Sequence, residues 1–374
     1  MILTNLHAVL EDRILDDAVI EIEAGRIKDV RKREKEEGID LGGAYVLPGF
    51  IDTHVHGTDD DDAMDKDPEG IARISKNLLK EGTTAFLSTT MTMSEEDILA
   101  ALESISSADS PGARRLGIHL EGPFINEAYK GAQNAEYIVK GSEELFRRMN
   151  SAARGEIRLV TLAPEKQDMA FLDYLDSEGI VISLGHSDAK AADVETAMAH
   201  GARRVTHCYN GMSKFHHRDL GLTGMALYED ALMSEIIADH IHTSPRALDM
   251  LAKNKPEDRI TLVTDAIRAK NLPDGEYSLG GQKIHVKDGV SRLESGSIAG
   301  STLHLNTALK NMLESTRLDL VQLAKAASTN PARTLGIDDA HGTIAPGKVA
   351  DLTVLSSDFQ VKRTMVDGEF RYER

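Results

Sequence analysis

Between Val46 and Ile267 the chain alternates short runs that are apolar on both faces with longer amphipathic stretches. The runs are VLPGFIDTHVH (46–56), TTAFLSTT (83–90), RLGIHLEG (115–122), IRLVTLAPE (157–165), GIVISLGHS (179–187), RRVTHCYN (203–210), ALMSEIIADH (231–240) and RITLVTDA (259–266). Such runs, without polar alternation, read as strands covered on both sides, the habit of a parallel sheet. The stretches between them carry helix signals. In DPEGIARISKNLLKEG (67–82), Asp67 suits the cap and Pro68 the first turn; Ile71, Ile74 and Leu78 share a face, and Gly82 is the stop. DAKAADVETAMAHG (188–201) repeats the design with Val194, Ala197 and Met198 on one face. Eight strands alternating with helices predict an α/β protein built on a (β/α)8, TIM-like barrel over 46–343. The 209–230 connection is the weak link, long and poorly helical.

The ends follow another pattern. Residues 1–45 hold strand-like pieces such as AVIEIEAGRIKDV, with Ala24-Gly25 at the turn, and 344–374 do the same. Two β segments flanking a barrel pair most simply into one small β-sandwich domain made jointly by the N- and C-terminal segments. The stretch 274–297 is punctuated by Gly and Asp and reads as a β-hairpin insertion, or an extension of that small domain.

Composition narrows the partners. With 43 basic against 61 acidic residues, the net charge of −18 argues against nucleic acid or an anionic membrane as partner. It leaves room for a small anionic substrate in a locally basic pocket. One cysteine, Cys208, rules out an intrachain disulfide and fits a reducing compartment. No apolar run reaches the roughly 20 residues that span a bilayer, and the start, MILTNLHAVLEDRILDD, lacks the marks of a signal peptide. The expectation is a cytoplasmic protein.

Candidate chemistry sits at the strand ends. In DTHVHG (52–57), strand periodicity puts His54 and His56 on one side, where two neutral nitrogens reach one divalent ion. Alone, that short pattern is as well explained by one packed and one surface histidine. But Glu121 ends IHLEGPF, His186 ends ISLGHS, His207 ends VTHCYN and Asp265 ends LVTDA. Ligand-type residues after five buried strands, where barrel enzymes carry their functional groups, favour a metal site over packing. Other features have plainer readings. Asp59–Asp62 reads as a solvated loop, Cys208 as packed, and His216 and His217 as solvent-facing. His119 is core or support for Glu121, and His304 marks a helix start.

On these residues the chain resembles the amidohydrolase superfamily, and within it the branch that deacetylates phosphorylated amino sugars. PGFIDTHVHG (48–57) is similar to the superfamily's first-strand motif. HLEGPF, TLAPE, GHSDA, THCYNGM and LVTDA resemble that branch's strand ends, and AGSTL, TNPARTLG and GTIAPGKVADL its C-terminal signatures. The resemblance implies that Glu121, His186 and His207 hold a divalent metal, with His54, His56 and Asp265 completing a second position. One or two ions per subunit follow, as zinc, iron, manganese or cobalt. It implies Asp265 as the general base and acid working with metal-activated water. It implies substrate contacts from Ala132, Gln133, Asn210, Gly211 and His242, and a homodimer in which Arg218 reaches the neighbouring subunit's phosphate site. His240 stands where many members have glycine, which leaves His240 and His242 as alternatives. The implied reaction removes acetate from N-acetylglucosamine 6-phosphate. Alternatives are the galacto-configured sugar phosphate, another N-acyl amino sugar, another amide or cyclic amide, or a non-catalytic sugar-phosphate binder.

Overall fold

The computed structural model describes residues 1–374. Eight parallel strands follow one another in chain order around a barrel: Phe50–Val55, Thr83–Thr89, Arg114–Glu121, Ile157–Leu162, Val181–Leu184, Ala202–Val205, Met233–Ile237 and Ile260–Val263. The ring closes where the chain past Val263 runs beside the first strand. Asp265 N–H donates to His54 O at 2.8 Å and His56 N–H to Ala266 O at 2.8 Å. Four of these strands, Phe50–Val55, Thr83–Thr89, Met233–Ile237 and Ile260–Val263, are buried at every residue, as continuous apolar runs require. The Val181–Leu184 strand opens slightly at its first residue only.

The helix read from 67–82 spans Pro68–Leu78, with the Asp67 carboxylate accepting from Glu69 N–H. The second spans Ala191–Ala199. The weakly helical 209–230 connection contributes only Gly221–Tyr228.

Both chain ends join one seven-stranded sheet, in the order Glu369–Glu373, Val361–Val366, Leu352–Leu355, Ile39–Pro48, Ile2–Val9, Ile14–Glu23, Arg26–Lys32. Leu352–Leu355 pairs antiparallel with Ile39–Pro48, so the C-terminal strands complete what the N-terminal ones begin. The sheet bends round a core of its own that includes Leu3, Ile20, Val46, Leu352 and Met365. Ile27 N–H reaching Lys348 O at 2.9 Å ties its far edge back to the C-terminal segment. The apolar run 46–56 is shared between the two sheets. It leaves the terminal sheet at Pro48 and enters the barrel at Phe50, and a side chain on Gly49 would run into Thr84. Residues Gly275–Leu279, Gln282–Lys287 and Val290–Leu293 form a separate three-stranded antiparallel sheet after the last barrel strand. No helix is long and apolar enough to cross a membrane.

Asp61 and Asp62 depart from the solvated loop read from the charge of Asp59–Asp62, while Asp60 is exposed as that reading expects. Asp62 is buried and accepts from Met64 N–H at a helical turn, and Asp61 takes a bidentate contact from Arg73. Local capping and arginine pairing, absent from a count of adjacent carboxylates, draw these residues inward.

Candidate active site

The strand ends bring His54, His56, Glu121, His186, His207 and Asp265 together at the C-terminal mouth of the barrel. His54 and His56 Nε2 are 3.3 Å apart, and each lies 3.4 Å from an oxygen of Glu121. Glu121 Oε1 is also 3.2 Å from His186 Nε2 and 3.1 Å from His207 Nε2, which are 3.2 Å from each other. Two donor triads thus share the Glu121 carboxylate. Ligands about 2.0–2.1 Å from a tetrahedral centre stand roughly 3.3–3.4 Å apart. The observed edges fit that spacing, so these residues suit a divalent ion.

Each imidazole is turned for this by its other nitrogen. Nδ1 faces Glu235 Oε1 at 2.7 Å in His54, Thr89 O at 3.1 Å in His56, Tyr129 O at 2.8 Å in His186 and Asn210 O at 3.1 Å in His207. All four partners only accept, so each Nδ1 carries the proton and each Nε2 turns its lone pair to the centre. The carboxylates around the rings also attract a further positive charge to them. Burial works against charge on His54, yet Asp265, Glu235 and Glu121 outweigh it and raise its pKa well above the ordinary value. Burial opposes charge on His56 too, but hydrogen bonds to Asp265 and Glu121 raise it to about 9. Burial would lift Glu121, and His54 with the hydrogen-bonded His186 and His207 instead hold it well below the carboxylate range. The cluster calls for positive charge, which a cation supplies.

Three of these residues have left-handed backbone: His186 (φ 47°), His207 (φ 28°) and Asp265 (φ 50°). Such conformations cost on the order of 1–3 kcal/mol each and persist where the surroundings fix them. At Asp265 the surroundings are visible. The AGSTL segment docks alongside, with Ser301 N–H donating to Asp265 O at 2.8 Å and Ile267 N–H to Ser301 O at 3.1 Å.

A cavity of about 280 Å³ opens over the cluster. Asp265, Ala132, Gln133, Asn210, Gly211 and His242 all line it. Gln133 is buried, and its amide is already committed: Nε2 donates to Glu121 Oε2 at 2.7 Å and Oε1 accepts from Thr92 N–H at 2.7 Å. His242 is held toward the cavity by Asp239, whose carboxylate meets its Nδ1 at 2.7 Å. His240 is exposed, on Ser315 Oγ, and does not line the cavity, whereas His242 does. Arg218 is exposed in the 214–219 loop beside His217 and is not among the residues that one chain brings to the cavity. His304 stands at the N-terminal cap of the helix Leu305–Ser315. His119 lies under His54 with ring centroids 4.6 Å apart, bonded to Thr53 O and Thr161 Oγ1. Cys208 is fully buried.

Two residues of the site escaped the sequence reading. Glu235 meets His54, and Arg204 meets Glu235. A signal existed for Glu235, the one ionic residue inside the buried run MSEII, but less for Arg204, which follows the exposed Arg203 in ARRV.

Comparison with known proteins agrees with this geometry. The amidohydrolase family profile matches residues 45–371. The N-acetylglucosamine-6-phosphate deacetylase of Bacillus subtilis (strain 168) is 37% identical, covering 100% of this chain and 97% of its own. The N-acetylgalactosamine-6-phosphate deacetylase of Escherichia coli O157:H7 is 35% identical, covering 96% and 93%. Among solved structures, an aspartate-to-alanine mutant of the Mycobacterium smegmatis N-acetyl-D-glucosamine-6-phosphate deacetylase, in complex with N-acetyl-D-glucosamine 6-phosphate, superposes with a TM-score of 0.94. It is 30% identical over 99% of both chains. On its barrel, its strand-end ligands and these full-length relatives, the chain belongs to the amidohydrolase family, in the branch of the hexosamine-6-phosphate deacetylases.

Proposed function

We propose that the protein hydrolyses the N-acetyl group of N-acetylglucosamine 6-phosphate, giving glucosamine 6-phosphate and acetate. The observation that carries this is the convergence of four Nε2 atoms and both Glu121 oxygens beneath a cavity into which Asp265 faces. Glu121, His186 and His207 would hold one divalent ion, and His54, His56 and Glu121 a second, with Asp265 beside them. When bound, a divalent cation polarises an amide carbonyl and lowers the pKa of water from 15.7 toward about 7.

The chain's own residues do the rest. Asp265 Oδ1 lies 3.2 Å from His56 Nε2 and 3.4 Å from His54 Nε2, at the floor of the cavity. There it takes a proton from the attacking water. It returns that proton to the amine nitrogen as the bond to the acetyl carbon breaks, so acetate and a free amine leave in balance. Burial would raise the Asp265 pKa, but His54 and His56 hold it below the usual range, so the carboxylate is ionised at neutral pH. Gln133 fixes the Glu121 carboxylate, and Asn210, Gly211 and His242 line the wall for the sugar phosphate. The chain works as a homodimer in the cytoplasm, where Arg218 reaches the partner subunit's substrate; its exposed guanidinium offers the planar fork that phosphate oxygens favour.

Acetate release from N-acetylglucosamine 6-phosphate and from free N-acetylglucosamine tests the reading. A strong preference for the phosphorylated sugar is expected, and equal turnover of both would reject the phosphate assignment. Running the galacto epimer alongside separates the two substrate classes seen among the relatives.

A further inference from the structure

We propose that Glu235, neutralised by Arg204, is a positioning residue that sets how tightly the ion at His54 and His56 is held, while the ion at His186 and His207, which it touches only through the His207 backbone, depends on it less. This rests on the reading of those histidines as ligands.

The four histidines are not oriented alike. His56, His186 and His207 each give their Nδ1–H to a backbone carbonyl, an uncharged acceptor fixed by the fold. His54 alone gives it to a carboxylate. Glu235 is wholly buried and held from several sides. Its Oε1 accepts from His54 Nδ1 at 2.7 Å and from His207 N–H at 3.1 Å, and its Oε2 accepts from Arg204 Nη2. Its own carbonyl accepts from Cys208 N–H at 2.7 Å.

A carboxylate in that position fixes the imidazole's tautomer and makes Nε2 a stronger donor to a cation than a carbonyl does. The cost is a charge in the barrel interior, and Arg204, equally buried, is the counter-charge. Arg204 is not fully satisfied in return. Nη2 also donates to Thr53 Oγ1 at 2.6 Å, whereas Nε and Nη1 have no partner.

Removing Glu235 alone would strand a buried guanidinium, so the decisive variant is Arg204→Met/Glu235→Leu, which withdraws both charges together. Cation affinity is read by chelator competition with zinc or manganese on the full chain, with folding followed by circular dichroism. The wild type is expected to show two classes of ion. In the double variant the class that a His54→Ala variant removes should weaken by about 10- to 100-fold while the other weakens clearly less. Glu235→Gln keeps the shape and one acceptor for Nδ1–H, and an intermediate weakening is expected; it also serves should the double variant not fold. Unchanged affinity for both classes, or equal weakening of both, would overturn the proposal. A wild-type protein with a single class of ion would instead remove the ligand reading of His54 and His56, and the proposal with it.

Discussion

Gly211 offers a direct way to perturb the donor geometry without touching a donor. Its φ is +57°, and a Cβ built there would lie 3.0 Å from His186 Nδ1, 3.3 Å from His186 Cε1 and 3.4 Å from His207 Cε1. Gly211→Ala therefore brings two costs. Left-handed backbone costs an alanine about 1–2 kcal/mol. The contact also pushes the His186 ring by a few tenths of an ångström, against a 2.8 Å bond to Tyr129 O on one side and a 3.2 Å approach to Glu121 on the other. Gly155 separates the two, since its φ is +78° and nothing lies within 4 Å of its Cβ position. Both variants should melt a few degrees lower, at roughly 2–4 °C per kcal/mol for a large domain. Only Gly211→Ala should lose turnover, by about 10-fold, below the roughly 100-fold that a full 1 Å misplacement costs. Acetate release and cation affinity on both proteins give the answer. Wild-type turnover in Gly211→Ala, or an equal loss in Gly155→Ala, would refute the link between that ring's position and activity.

Asp265→Asn should fold and keep its cation while acetate release falls by roughly 100- to 10,000-fold, the share of a general acid–base group; unaltered turnover would remove Asp265 from proton transfer. Arg218→Ala should raise KM for the phosphorylated sugar by about 10-fold or more, the worth of a charge-assisted hydrogen bond, and leave hydrolysis of the free sugar unchanged. Asp351 joins the terminal sheet to the barrel, accepting from Arg114 Nη1 at 2.7 Å, His341 Nδ1 at 3.1 Å and Asp367 N–H at 2.9 Å. Burial would raise its pKa, and the His341 and Arg114 hydrogen bonds lower it instead. A lowered folded-state pKa stabilises above the unfolded value of about 3.9, and that stability is lost as the pH falls through the folded value. Asp351→Asn should thus cost about 1–3 kcal/mol at pH 7, with Arg114 partly exposed, and the gap to wild type should close below about pH 4 in thermal melts.

The barrel was legible because its strands are apolar on both faces, so each run announced itself, and each candidate ligand lies within two residues of its strand's end. Six residues named from sequence do meet: His54, His56, Glu121, His186, His207 and Asp265. What the sequence hid is what depends on a third dimension. His240 and His242 are equivalent on paper; Asp239, three residues before His242, distinguishes them by gripping one ring. Gln133 reads as a sugar contact, but its amide is occupied by Glu121 and Thr92, a choice made by burial. Glu235 and Arg204 come from adjacent strands, and their connection to the site is visible only once Glu235 is seen to lie between Arg204 and His54. Arg218 sits outside its own chain's cavity, beside His217.

The central claim is that this cluster holds divalent cations on which amide hydrolysis depends. Acetate release from N-acetylglucosamine 6-phosphate by protein stripped with a chelator, and again after a divalent cation is restored, measures that dependence directly. The account predicts an inert stripped protein that regains activity with the ion, whereas full turnover by folded protein free of divalent metal would contradict it.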